Sequence, residues 1–144
     1  MAKYIIRRAV IADAEDIAEI SRDDLGYECD GEFVRANLSG LDSSREAVFV
    51  AVTDGRAVGY IHVEEYKTLY FEKMVNYLGV AASGKYRRLG IGSALIKAAE
   101  NWALERGIHL VRLNSGSTRT GAHEFYKRQG YDGDKMQVHF TKRL

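Results

Sequence analysis

The chain has 144 residues, 28% of them charged and 46% hydrophobic, with a formal net charge of +1. That length fits one domain over residues 1–144 with a core of its own. The near-zero charge gives no basis for general binding of nucleic acid or of an anionic membrane. A single cysteine, Cys29, excludes an intrachain disulfide and fits a reducing compartment.

In chain order, MAKYIIRRAV lacks the apolar core and cleavage site of a signal peptide, and no apolar run is long enough to span a bilayer. The expectation is a cytoplasmic protein. Lys3–Arg8 is β-prone and charged, which suits an edge strand. Asp13 reads as the N-cap of a helix, with Asp16 three residues on and Ile17 and Ile20 on one face. Gly26 should end that helix. A second helix from Asp30 is expected to bury Phe33, Val34, Asn37 and Leu38 on one side. Ala47–Val52 and Ala57–Val63 flank Asp54-Gly55, the strongest short-range hairpin signal. The third strand runs into Glu64-Glu65-Tyr66, and Leu69–Ala81 is read as the fourth, with a bulge at Gly79. A long amphipathic helix follows from Ile91, stopped by Gly107. Ile108–Leu113 reads as a fifth strand, Ala122–Gln129 as a helix closed by Gly130, and Met136–Thr141 as a last, cleanly alternating strand. The order βααβββαβαβ describes an α+β protein: a mixed, mostly antiparallel sheet with helices on both faces.

The stretch Val75–Ala99 organises the rest. It is a buried strand, a glycine and basic turn, and a helix whose apolar positions repeat from Ile91. Unpaired N–H groups and the dipole at such a helix start favour an anion, and Gly90 and Gly92 remove side chains that would keep a phosphate away. Three phosphate-binding readings compete. Gly79-x-x-x-x-Gly84-Lys85 is followed by Tyr86 instead of Ser or Thr, one residue short of a P-loop, and the helix pattern starts too late for it. Gly90-x-Gly92 would open a dinucleotide fingerprint, but the third glycine position is Leu95. The remaining reading is Arg87-x-x-Gly90-x-Gly92.

That motif resembles the pyrophosphate loop of the GCN5-related N-acetyltransferase (GNAT) superfamily. A second stretch, Ala122-His-Glu-Phe125-Tyr126-Lys-Arg-Gln-Gly130-Tyr131, is similar to the family's A-x-x-F-Y-x-x-x-G-F/Y helix. The two occur in the right order on the right elements, and the resemblance covers nearly the whole chain. It implies an acetyl-CoA-dependent N-acetyltransferase, acting on a primary amine of a small molecule such as an aminoglycoside or polyamine, or of a protein. Coenzyme A would lie between the fourth and fifth strands. Backbone N–H groups of Arg88, Leu89, Gly90, Ile91, Gly92 and Ser93 would hold the pyrophosphate, with Arg87 opening the loop. Leu78 and Val80 would pair with the pantetheine arm, and the Val80 N–H would face the thioester oxygen. Asn114 would bond the cofactor's amide or simply cap the fifth strand. Tyr126 would be the general acid that protonates the departing thiolate.

The base is where the chain departs from the family. A protonated alkylamine has a pKa of about 10.4, so deprotonation at pH 7 costs roughly 4–5 kcal/mol. Relatives often place a glutamate where this chain has Met74 or Asn114. By strand parity Glu72 is the next candidate base, with Glu64 and Glu65 behind it. His62, His109, His123 and His139 show no metal-ligand spacing, and no metal is expected. Cys29 has no adjacent basic group to activate it. The partners implied are acetyl-CoA and a small-molecule or peptide amine, with no nucleic acid or membrane, and a homodimer is compatible with the resemblance. A coenzyme A-binding sensor without turnover is the alternative.

Overall fold

The computed structural model describes residues 3–86, 88–133 and 135–144. The backbone forms two compact units, Met1–Leu113 and Asn114–Leu144. In the first unit one sheet contains β1 (Ile5–Arg8), β2 (Glu46–Thr53), β3 (Arg56–Tyr66), β4 (Met74–Ala82) and β5 (Val111–Leu113), in that spatial order. The first three pairings are antiparallel. β4 and β5 run parallel, because a crossover helix, α3 (Ile91–Glu105), connects them. Helices α1 (Ala14–Leu25) and α2 (Gly31–Ser39) come between β1 and β2. The expected α+β class and mixed sheet are therefore what the chain forms.

Several boundaries follow their sequence signals. Gly26 caps α1 at a left-handed φ of 77°, and the Asp30 side chain accepts the Phe33 N–H at 2.8 Å to start α2. Thr53 pairs with Arg56 across Asp54 and Gly55, whose φ values of 51° and 74° are the left-handed pair a two-residue hairpin turn requires. The two faces of the sheet separate by strand parity, which the β2–β3 register shift at Ala51/Val52 resets between Ala57 and Gly59. Val48, Val50 and Ala57 pack with Ile17 of α1 on one face. On the other face, Gly59 of β3 meets Ile91 and Leu95 of α3.

Gly59 is a point of close approach between α3 and the sheet. A Cβ there would stand 2.9 Å from Ile91 Cγ2 and 3.1 Å from the Ala81 carbonyl oxygen. Ile91 is 2% exposed and cannot swing away. Gly59→Ala should therefore destabilise the fold by about 1–3 kcal/mol despite the better strand propensity of alanine. Urea unfolding measures this, and an unchanged midpoint would show that α3 can shift at no cost.

Asp13 does not cap α1 as expected. Its carboxylate faces back to Arg7, which donates at 2.8 and 3.0 Å, and to the Val10 N–H at 2.8 Å. Asp16, in place of a capping box, accepts from Arg56 and from the Ala57 N–H. Burial pushes the Asp13 carboxyl up, but the Arg7 and Val10 bonds outweigh it and hold the group below its ordinary value. A depressed folded value contributes stability that is present above the unfolded value near pH 4 and lost as pH falls through the folded one. Wild type should therefore exceed Asp13→Asn in stability at pH 7, and the gap should close in strong acid. A pH-independent gap would assign the loss to packing.

Other expectations shift. β4 begins at Met74, so Leu69, Tyr70 and Phe71 lie before it and are exposed. Apolar β-prone residues form a strand only where a ladder accepts them, and β3 ends at Tyr66 opposite Met74. The bulge is at Leu78: His62 pairs with Gly79 and Val63 with Tyr77, which leaves Leu78 as the extra residue. Gly79 is instead paired, and a Cβ there would stand in ordinary contact with the Tyr60 ring, at 3.4 Å. β5 is cut to three residues. In the second unit α4 spans Thr120–Arg128, two residues earlier at its start than the sequence suggests. Residues 135–144 form no strand, and Met136, Val138 and Phe140 are all exposed. Their alternation satisfies the strand pattern, but the pattern alone supplies no hydrogen-bonding partner.

Candidate active site

The turn from β4 into α3 is built so that its backbone donors change hands part-way. The Ser83 N–H bonds the Val58 carbonyl at 2.7 Å, Gly84 donates to Asp24 Oδ1 at 3.0 Å, and Tyr86 donates to the Ser83 carbonyl at 3.0 Å. The chain holds the donors of this first part itself. Arg87 lies outside the described residues. Arg88 and Gly90 then both take left-handed φ, 64° and 78°, on either side of Leu89. The first helical bond of α3 is from the Ala94 N–H to the Gly90 carbonyl. The N–H groups of the turn before it lie outside the helix's own ladder, at the positive end of a 15-residue helix. A phosphate-bearing group fits this arrangement by backbone donors and dipole together.

The edge of β4 supplies the second element. The β4–β5 ladder covers only Val75 to Tyr77, paired with Val111 to Leu113, while β4 continues to Ala82. Because Ser83 donates toward β3, strand alternation turns the N–H groups of Ala81 and Gly79 to β3 as well. The N–H groups of Ala82 and Val80 point to the opposite edge, past the end of the β5 ladder. Leu78, at the bulge, is 50% exposed.

In the second unit Tyr126 is on α4, with the Phe125 ring 5.3 Å away edge-on and the Tyr131 ring at 6.2 Å. Burial pushes its phenol above the ordinary value, and the Arg119 charge only partly opposes this. Asn114 is exposed and directly follows β5.

The expected carboxylates fall in different surroundings. Glu72 is exposed and precedes β4, so the parity of Met74 and Asn76 does not extend to it. Glu64 accepts from Arg45 at 2.8 Å and from Asn76 Nδ2 at 3.0 Å. Asn76 in turn accepts from Arg112 at 2.6 Å. Glu65 is held below its ordinary value, first by Lys73 at 2.6 Å and then, against burial, by Arg106. A carboxylate fixed between two cations is a poor proton acceptor. Among the described residues, no three His, Cys, Asp or Glu side chains gather as a metal site.

The sequence model of the acetyltransferase (GNAT) family matches residues 14–131. The chain belongs to the GNAT family. The family model and the relatives named N-acetyltransferase place it among the N-acetyltransferases. An N-alpha-acetyltransferase of Sulfurisphaera tokodaii is 30% identical over 96% of this chain and 86% of its own length. The GNAT chain also superposes on a transcriptional regulator from Bacillus halodurans with a TM-score of 0.82 and 27% identity, covering 96% of this chain and 100% of that one. A third likeness, at 17% identity, is one of fold: an aminoglycoside N-acetyltransferase solved in complex with coenzyme A, with a TM-score of 0.83, covering 99% and 96% of the two chains. No described helix is long and apolar enough to cross a membrane.

What the sequence reading of this GNAT chain missed is on the other face of the sheet. Phe33 and Asn37, expected to be buried, are exposed and border a cavity of about 590 Å³ between α1, α2 and the β2–β3 face. His62 and Glu46 face into it, with Nε2 2.9 Å from Oε1. Burial pushes the Glu46 carboxyl up, but His62, the Asp42 N–H and Arg45 together hold it below its ordinary value. The Tyr60 phenol, bonded to Ser21 Oγ at 2.9 Å, is raised by burial. Parity counted from the Asp54-Gly55 turn puts Glu46 and His62 on opposite faces; the β2–β3 register shift at Ala51/Val52, which the sequence does not signal, brings them to the same one.

Proposed function

We propose that the chain transfers an acetyl group from acetyl-CoA directly to a primary amine of a small molecule or a protein. The observation that carries this reading is the direction of the Val80 N–H, away from β3 on the strand that feeds the helix start at Gly90. An added pantetheine strand would pair along Leu78 and Val80. The pyrophosphate would be held by the backbone from Arg88 to Ser93, with Arg87 and Asn114 as further cofactor contacts. As the amine's lone pair attacks the thioester carbon, charge develops on the carbonyl oxygen and the Val80 N–H is the donor for it. Collapse breaks the C–S bond, and Tyr126 protonates the thiolate. The raised phenol keeps this proton through the neutral range.

A second reading is a coenzyme A-binding regulator without turnover. A likeness to a transcriptional regulator and the absence of a family glutamate at Met74 and Asn114 favour it. Thiol release from acetyl-CoA across a panel of amines separates the two. Release that depends on amine, with matching acetylated product, supports the transferase. Tight acetyl-CoA binding with no release from any amine supports the regulator.

A further inference from the structure

The cavity between α1, α2 and β2–β3 has one apolar wall and one polar end. Phe33, Val34 and Leu38 give it the apolar face of α2, and Phe33 is 62% exposed. Its polar end is the bonded pair Glu46 and His62, Glu28 also lines the cavity, and the described lining includes no Lys or Arg. Such a wall suits an apolar body, and such an end suits a cation. The Glu46 carboxylate, 2.9 Å away, accepts a hydrogen bond from Nε2–H of His62, and that tautomer leaves the lone pair on Nδ1. Across the ladder, His62 pairs with Gly79, the residue before Val80, at a spacing of about 5.5 Å between Cα atoms. His62 is therefore one ladder position from Val80, whose N–H faces the far edge of β4.

We propose that this cavity takes the acceptor as a primary amine on an apolar body, and that His62, oriented by Glu46, accepts the amine's proton. The inference rests on the acetyl-transfer reading above. The ammonium gives one proton to Nδ1 and becomes the free amine. Its lone pair forms the C–N bond, and the C–S bond breaks. The second nitrogen proton compensates, through solvent, for the one that Tyr126 gives the thiolate, and the imidazolium returns its own to water. The products are the amide, free coenzyme A and one proton. The groups facing His62 are Glu46, with Arg45 3.9 Å behind it, and Tyr27, Glu28, Cys29 and Tyr60 around the cavity.

The test is the pH profile of kcat/KM for wild type, His62→Gln, Glu46→Gln and Glu72→Gln, with phenethylamine, a Leu-initiated tetrapeptide, spermidine and kanamycin as acceptors. Coenzyme A protection in a thermal melt reports the donor site separately. Phenethylamine and the tetrapeptide should exceed spermidine and kanamycin by about tenfold or more, the scale of discrimination an apolar wall provides. His62→Gln should lower kcat/KM about 10²-fold or more with coenzyme A protection intact. Its acidic limb should then follow the pKa of the amine supplied. Glu46→Gln should move the wild-type limb to lower pH, because an imidazolium without its carboxylate loses the proton more easily. This holds as a test even if His62→Gln fails to fold. A limb unchanged in both variants, or one that only Glu72→Gln removes, overturns the proton-acceptor role. A preference for spermidine or kanamycin overturns the apolar-body assignment. Wild type that binds coenzyme A and acetylates none of the four points to failure of the transferase reading itself.

Discussion

Tyr126→Phe should lower kcat about 100-fold, the usual range for removing a general acid, while coenzyme A affinity stays within about twofold. The substitution keeps the ring, so the edge contact to Phe125 at 5.3 Å and the contact to Tyr131 at 6.2 Å survive. What is lost is one O–H. Burial raises the Tyr126 phenol, so the donating form persists to higher pH than for an ordinary tyrosine. The deficit should therefore be constant from pH 6 to 9 or so, with no limb of its own in that window. A single-turnover measurement shows whether chemistry limits the rate. If it does and kcat is unchanged, Tyr126 is a packing residue and the thiolate takes its proton from water.

The two family motifs were legible because each fixes backbone geometry through residue type. Gly90 is needed for a left-handed φ of 78°, and Gly130 for one of 91°. The hairpin was legible for the same reason at Asp54-Gly55. Elements whose existence depends on a distant partner were not. Leu69–Phe71 and Met136–Phe140 carry strand patterns as good as that of β4, and neither forms a strand. Local propensity says which residues tolerate a ladder and leaves open whether a ladder reaches them.

The base candidates show the same limit in a site. Glu72 was favoured by parity counted back from Met74, but parity holds only inside a strand, and β4 starts at Met74. Glu65 was acidic and near, yet Lys73 and Arg106 neutralise it. His62 showed only an absence of metal-ligand spacing, and it is the β2–β3 register shift at Ala51/Val52 that sets Val48 opposite it and Glu46 beside it. The α2 face was misread for a more general reason. A helix that lines a ligand cavity needs the same apolar spacing as one that packs on a core, so Phe33, Val34 and Leu38 could not tell the two apart from sequence.

Gly92→Val should abolish the stabilisation that coenzyme A gives the fold, with the ligand-free protein unharmed. Ligand at about 100 times its dissociation constant stabilises by about 2.7 kcal/mol, which for a chain of this size raises the melting temperature by several degrees. Gly92 lies in the first turn of α3, and its φ is not among the left-handed ones, so a valine fits the backbone there. Valine is also the better helix former of the two, so the apo melting temperature should hold or rise slightly. The branched side chain would, however, stand between the helix-start N–H groups and a pyrophosphate. Gly90→Ala is the contrasting case. At φ 78° a Cβ strains the backbone by roughly 1–2 kcal/mol, so this variant should melt lower even without ligand. The two glycines thus separate conformation from access. ATP with magnesium should protect wild type less than coenzyme A does. If ATP protects better and coenzyme A gives no shift, the turn is a nucleotide site of another kind. If Gly92→Val keeps the full coenzyme A shift, the pyrophosphate is held elsewhere, and the helix start has no part in binding it.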